Sequence, residues 1–237
     1  IKSIKEKNQK LSSNWKTNII EEALGQKLKK NTTINKACIN SKEVKKNNIF
    51  FGIKGKNKDG NKFANEAINK GASVAIIDKN YGKKNSNKIK IKNCLNFFSN
   101  CSSIIRSSSN ITAIAITGSA GKTSLKELLG QSLNNIYKTS YSKKSFNNKY
   151  GVPVSLFNIE KKDKFGVFEI GMNKKGEIDN LSKIIKPNIG VITNISYAHI
   201  KNFKNLYGIA KAKSEIIDNI IENGTVVLNA DDKYFNY

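Results

Sequence analysis

The sequence predicts an α/β protein of two domains, the second a mostly parallel sheet flanked by helices and carrying a P-loop. Three observations predict it. Apolar runs such as Ile111–Ile116, FGVFEI and IGVITNI alternate with stretches of helical periodicity, the pattern of parallel strands covered by helices. The first of these runs ends in Thr117-Gly118, passes through a tight Ser119-Ala120-Gly121 loop and enters Lys122-Thr123-Ser124. The 237 residues are enough for two modest domains.

Residues 1–30 are polar around a short helical stretch, Trp15 to Leu28. NIFFGIKG (48–55) reads as a strand and a turn, which Asp59-Gly60 continues. Phe63, Ala64, Ala67 and Ile68 recur at helix spacing, and 73–78 is a short buried strand. The lysine- and asparagine-rich stretch 80–93 reads as an exposed segment. Ser107-Ser108-Ser109-Asn110 reads as a linker and puts the domain boundary near 109, giving domains 1–109 and 110–237. The second domain is expected to contain strands 111–117, 165–170, 189–195 and 225–229. Helices 122–135, 176–185 and 205–222 are expected between them. Ligands of such sheets sit at the carboxyl ends of the strands. Thr117 onward, Glu169, Asn194 to His199 and Asn229 to Asp232 all fall there.

Composition narrows the function class. The net charge is +24, but Arg106 is the only arginine, and the lysines are spread along the whole chain beside many Asn and Ile. Specific nucleic-acid interfaces lean on arginine and on clustered charge. The charge therefore reads as a compositional bias, with salt-sensitive polyanion binding as its side effect. No run reaches the ~18 apolar residues of a membrane span, and the polar start IKSIKEKNQK is not a signal peptide. Cys38, Cys94 and Cys101 form no C-x-x-C pair or zinc spacing, as expected of reduced thiols in a cytoplasm.

Strand, glycine loop and helix form a phosphate cradle. Loop N–H groups and the positive helix end face the phosphates, Lys122 places a charge on them, and the Thr123 hydroxyl suits Mg²⁺. The spacing is G-x-x-G-K-T, with Ile116 where G-x-x-x-x-G-K-T has its first glycine. A plain βα turn with two glycines would read the same. Glu169 ends an apolar strand at this edge, as a magnesium ligand would, or as an exposed residue at a frayed tip. His199, the only histidine, follows the strand 189–195 on that edge and is either a ligand or a structural hydrogen-bonding residue. By residue type alone Lys213 is a solvated helix lysine, and Phe146-Asn147-Asn148 is a loop.

Taken together, ITGSAGKTS, SFNNKYGVPVSL, FEIGMNKKGEI, TNISYAHIKNF, GIAKAKSEI and VLNADD, in that order, resemble the Mur ligases. The segment INSKEVKKNNIFFGIKGKNKDGNKFANEAINKGA looks like that family's uridine-diphosphate-binding domain. The resemblance covers about 15–237. Its F-N-N-x-x-G-V-P and E-[LIM]-G-x-x-x-x-G-E-I patterns point to the member that joins D-alanyl-D-alanine to UDP-N-acetylmuramoyl-tripeptide in peptidoglycan precursor synthesis.

The resemblance implies an ATP-dependent amide ligase working through an acyl phosphate, cytoplasmic and monomeric. It implies ATP bound by Gly118, Ser119, Ala120, Gly121, Lys122, Thr123 and Ser124, with Asn229 and Asp232 near the nucleotide. It implies magnesium served by Thr123, Glu169, His199 and Lys213, the last carbamylated by CO₂. Ser41 and Lys42 match a Ser-Arg pair on the UDP-sugar, and Phe146, Asn147 and Asn148 match a substrate-binding turn. Lys42 departs from the usual Arg, and Asn61 from a common His. The family has a third, C-terminal domain and this chain stops at Tyr237 before it, so this stretch alone is expected to bind nucleotide without being a competent ligase. The alternatives are another Mur-type ligase adding lysine or a diamino acid, a folylpolyglutamate synthase, or a nucleotide-binding module without ligase activity.

Overall fold

The computed structural model describes residues 15–81, 87–142, 145–197, 202–203 and 205–236. It divides into two compact units, Ile1–Ile105 and Arg106–Tyr237.

In the first unit, α1 (Trp15–Leu24) precedes a four-stranded parallel sheet in the order β1-β2-β3-β4. Its strands are β1 (Lys36–Cys38), β2 (Asn48–Gly52), β3 (Ala72–Asp78) and β4 (Lys88–Ile91); α2 (Ala64–Asn69) connects β2 to β3. Phe50, Ala75 and Ile77 of the sheet pack with Ala64 and Ala67 of α2. The stretch expected to be merely exposed therefore holds a strand. Its Lys-Ile-Lys-Ile alternation suits the sheet edge, where charge discourages further pairing. After it α3 (Cys94–Ser107) forms a helix not foreseen ahead of the linker. Cys94, Phe98, Cys101 and Ile105 are buried at helical spacing, and the Phe98 ring stacks on Phe51 at 4.2 Å. Helix α1 stops at Leu24, short of Leu28, where Gly25 takes a φ of +64°.

The second unit is a five-stranded, all-parallel sheet in the order β6-β7-β5-β8-β9. The strands are β5 (Thr112–Thr117), β6 (Thr139–Tyr141), β7 (Phe165–Glu169), β8 (Ile189–Ile192) and β9 (Thr225–Leu228). The helices are α4 (Lys122–Asn134), α5 (Gly151–Phe157), α6 (Glu177–Ile185) and α7 (Leu206–Ser214). Ile114 and Ile116 of β5 pack with Val167, Val191 and the Leu125, Leu129 and Leu133 stripe of α4. Two elements escaped the sequence reading: the three-residue strand β6, and α5, which starts just after the loop expected at Phe146-Asn147-Asn148. Pro153 is harmless there because it falls in the first helical turn. The helix expected over 205–222 ends at Ser214 and gives way to a single 3₁₀ turn at Ile217–Asn219.

Strands β7 and β8 flank β5: the chain runs from β5 out to β6 and back to β7 on one side, then crosses to β8 and β9 on the other. The crevice this opens at the carboxyl end of β5 is where such sheets bind ligands. Arg106 fixes the opposite end. Its Nε donates to the Ile185 carbonyl at 2.7 Å, and one terminal nitrogen reaches the Lys186 carbonyl and Asn188 Oδ1, each at 3.0 Å. Asn188 Oδ1 also accepts from Ala113 N–H at 2.8 Å, which joins the end of α6 to the start of β5.

Candidate active site at the carboxyl end of the second sheet

The loop after β5 leaves the sheet at Gly118, whose φ is +148°. A Cβ there would stand 1.9 Å from Thr193 Oγ1, so only glycine lets the loop pass β8. Gly121, at φ +78°, turns the chain into α4, whose N-terminus no side chain caps. The free N–H groups of such an uncapped first turn are the ones a helix can offer to an anion.

The N–H groups of Ser119 and Ala120 are otherwise engaged. Both donate to Asn194 Oδ1, at 3.1 and 2.9 Å, and Thr193 Oγ1 donates to the Ala120 carbonyl at 2.6 Å. Thr193 and Asn194, just past β8, thus hold the loop in shape. Sequence reasoning marked this strand end as polar but gave Thr193 and Asn194 no role.

Lys122 folds back over the loop, its Nζ 2.7 Å from the Gly118 carbonyl. Burial lowers its pKa, and the Glu169 carboxylate works against that shift. Glu169 is buried and held at both oxygens. Oε2 accepts from Thr123 Oγ1 and Oε1 from Asn147 Nδ2, both at 2.8 Å. A buried carboxylate beside a hydroxyl at the foot of this glycine loop is a hard-oxygen donor set. It suits Mg²⁺, which takes one or two carboxylates and fills its other positions with phosphate and water. Among the described residues no three His, Cys, Asp or Glu side chains gather as a metal cage.

Lys213, on α7, is buried at 2 % exposure and not solvated as its residue type suggested. Burial first, then the charge of Lys122, pulls its pKa down to about 7. The Thr117 hydroxyl, at the end of β5, is buried without a hydrogen-bond partner.

The other candidates are more dispersed. Asp232 bonds Ile195 N–H at 2.6 Å and Tyr234 N–H at 3.0 Å, while Asn229 Oδ1 accepts from Asp231 N–H. Both line a cavity of about 60 Å³ with Ile192 and Ala210. Asn148 Oδ1 accepts from the N–H groups of Tyr150 and Gly151 at the start of α5, and Phe146 is half-buried. His199 lies outside the described residues. Ser41 and Lys42 belong to the first unit, Ser41 buried and Lys42 exposed. Asn61, in the same unit, is satisfied by Asp59 Oδ1 at 2.9 Å and Asp78 Oδ2 at 3.1 Å. All three cysteines are free and buried, and burial pushes their thiols up, Cys101 to about 12. No helix among the described residues is long and apolar enough to cross a membrane.

Comparisons with known proteins agree with one another. The Mur ligase middle domain model matches residues 116–237, and the model for the Mur ligase family catalytic domain matches 33–137. A UDP-N-acetylmuramoyl-tripeptide--D-alanyl-D-alanine ligase of Buchnera aphidicola subsp. Baizongia pistaciae is 40 % identical over 79 % of this chain and 41 % of its own length. The ligase of the same name from Rickettsia prowazekii is 36 % identical over 94 % of this chain and 49 % of its own. The chain therefore spans about half the length of the curated relatives it matches. Among solved structures, MurF from Acinetobacter baumannii superposes with a TM-score of 0.81 at 28 % identity, over 93 % of this chain and 49 % of that one. MurF ligase from Thermotoga maritima in complex with ADP gives 0.73 at 29 %, over 83 % and 46 %.

Proposed function

The chain belongs to the Mur ligase family, and on that premise we propose that it carries the substrate- and ATP-binding part of a UDP-N-acetylmuramoyl-tripeptide--D-alanyl-D-alanine ligase. The observation that carries this reading is the 2.8 Å contact between Thr123 and Glu169 directly beneath the Gly118–Ser124 loop. It pairs a phosphate cradle with a metal-binding carboxylate, as phosphoryl transfer requires.

The chemistry follows from the weakness of a carboxylate as an electrophile. One oxygen of the tripeptide carboxylate attacks the γ-phosphorus of ATP, ADP leaves, and an acyl phosphate forms. The amine of D-alanyl-D-alanine then adds to that carbonyl, loses a proton and expels inorganic phosphate, leaving an amide. Magnesium, when bound, would neutralise the charge spread over the phosphate oxygens. Thr123 and Glu169 would hold it, with His199 serving the same site. Lys122, released from the Gly118 carbonyl, would follow the transferring phosphoryl group. The Lys213 amine, with its lowered pKa, is unprotonated in substantial part near neutral pH. This neutral form adds to CO₂ and releases a proton to give a carbamate, which would put an anion where the lysine stood. Asn229 and Asp232 would flank the nucleotide. Ser41 and Lys42 would contact the UDP-sugar and Phe146 to Asn148 the peptide, in a cytoplasmic monomer.

The test is calorimetric titration of Mg-ATP into this chain and into Lys122→Ala at physiological salt. The variant is expected to bind at least about tenfold more weakly, a loss of roughly 1.4 kcal/mol. Equal affinities would overturn the phosphate-site reading.

A further inference from the structure

Lys126, one helical turn beyond Lys122, is fully buried. Burying an ammonium is costly unless it is hydrogen-bonded and paired, and Lys126 is both. Its Nζ donates to the Ser142 carbonyl at 2.6 Å, and it lies 2.9 Å from Glu127 Oε1.

The location of this contact gives it meaning. Strand β6 pairs with β7 only as far as Tyr141 opposite Val167, while β7 runs on two residues to Glu169. Ser142 is the first residue past the ladder, so Lys126 takes over where sheet pairing stops. Five positions on, Asn147 Nδ2 donates to Glu169 Oε1 at 2.8 Å, and the Asn147 carbonyl accepts from Gly171 N–H at 2.7 Å. Through its other oxygen Glu169 returns to Thr123. Thr123 and Lys126 are three residues apart on α4, so both the Glu169 contact and the Ser142 contact start from one helix. Packing is close beside each of them. A Cβ on Gly130 would meet the Tyr141 ring at 2.5 Å, and one on Gly171 would meet Asn147 Cγ at 3.0 Å.

We propose that Lys126 is a positioning residue. By anchoring Ser142 to the phosphate-loop helix it fixes the turn carrying Asn147, and through Asn147 it sets the orientation of the Glu169 carboxylate. The catalytic meaning of that orientation rests on reading Glu169 as the carboxylate that faces a metal–nucleotide complex. A methionine would fill the same volume without a desolvated charge, but it could not hold the Ser142 carbonyl.

The test uses this chain with Lys126→Met, Lys126→Gln, Asn147→Ala and the Lys126→Met/Asn147→Ala double variant. Hydrogen exchange, which needs no ligand, is read at the Gly171 amide, with the β5 amides of Ile114 to Ile116 reporting global opening. Lys126→Met is expected to speed Gly171 exchange roughly tenfold more than β5 exchange, and Lys126→Gln, which keeps a donor, to do so less. The second readout is ADP affinity with and without Mn²⁺. Lys126→Met should weaken the manganese-linked part about tenfold, in the range for groups that orient a metal ligand. It should leave metal-free ADP affinity within about twofold. If Lys126 acts through Asn147, the double variant loses no more than Asn147→Ala alone. Unchanged Gly171 exchange, equal acceleration at Gly171 and β5, or additive losses would each overturn the proposal. If Lys126→Met does not fold, Lys126→Gln and its double variant with Asn147→Ala carry the same comparisons. If the wild type binds no nucleotide, the phosphate-site reading fails, and the exchange measurement still decides the role of Lys126.

Discussion

Lys122 and Lys213 act on each other across the carboxyl end of the sheet. Burial, and after it the charge of Lys122, brings the Lys213 pKa down to about 7. Lys122 is itself lowered by burial. Two lysines drawn from different elements, one on α4 and one on α7, are thus near enough for the charge of Lys122 to disfavour protonation of Lys213. The more buried of the two is the one that gives up its proton more readily.

That depressed value has a consequence for stability. In the unfolded chain Lys213 returns to its ordinary value of 10.5, so between about pH 7 and 10.5 the unfolded state holds more protons than the folded one. Stability from this group therefore rises with pH through that window, by at most about 1.4 kcal/mol per pH unit. Lys213→Met removes the buried charge. The variant is expected to be more stable than wild type at pH 6, with the gap closing toward pH 10, as read from urea midpoints. A gap that does not change with pH would show that Lys213 is not a desolvated lysine.

Thr117 offers a second stability test, independent of charge. Its hydroxyl is buried with no partner among the described residues. Leaving such a group unmade costs about 1–3 kcal/mol. Valine keeps the β-branched shape and favours the strand. Thr117→Val is therefore expected to raise stability by about 1 kcal/mol, measured by chemical denaturation without ligand. Destabilisation would mean that the hydroxyl is satisfied in the free protein.

Arg106 shows why the single arginine of a lysine-rich chain is not a nucleic-acid contact. Its guanidinium spans the carbonyls of Ile185 and Lys186 and the Asn188 amide, three acceptors that no single ammonium matches. Arg106→Lys is expected to destabilise the second unit by roughly 1–3 kcal/mol through unmet acceptors. Thermal unfolding of the variant checks this, and a shift of under about one degree would contradict it.

What was legible in the sequence was local. Gly118, Gly121, Lys122 and the leucine spacing of α4 announce a strand, loop and helix within a short window, and the glycines are required by the backbone geometry found there. Glu169 was legible because a carboxylate closing an apolar strand is costly without a partner. Strand β6, with three residues, and β4, with two lysines in four positions, carry too little apolar pattern to stand out. The burial of Lys126 and Lys213 was not legible at all. Among so many lysines only the packing of α4 on β6 and the course of α7 decide which lose water, and both are tertiary facts.

Glu169→Gln separates the structural work of this carboxylate from its charge. Glu169 accepts from Asn147 Nδ2 and from Thr123 Oγ1. A glutamine can keep both bonds, its oxygen on Asn147 and its amide donating to the Thr123 hydroxyl, which accepts as well as donates. The fold should then be retained within about 1 kcal/mol. What disappears is the anionic oxygen beside Thr123 that a hard divalent cation requires. Wild type should bind ADP more tightly with Mn²⁺ than without, and Glu169→Gln should lose at least about tenfold of that metal-linked gain. Its metal-free affinity should be unchanged, because the loop N–H groups and Lys122 remain. A folded Glu169→Gln variant with the full metal-linked gain would remove Glu169 from the metal site, leaving it the narrower task of tying Asn147 to Thr123.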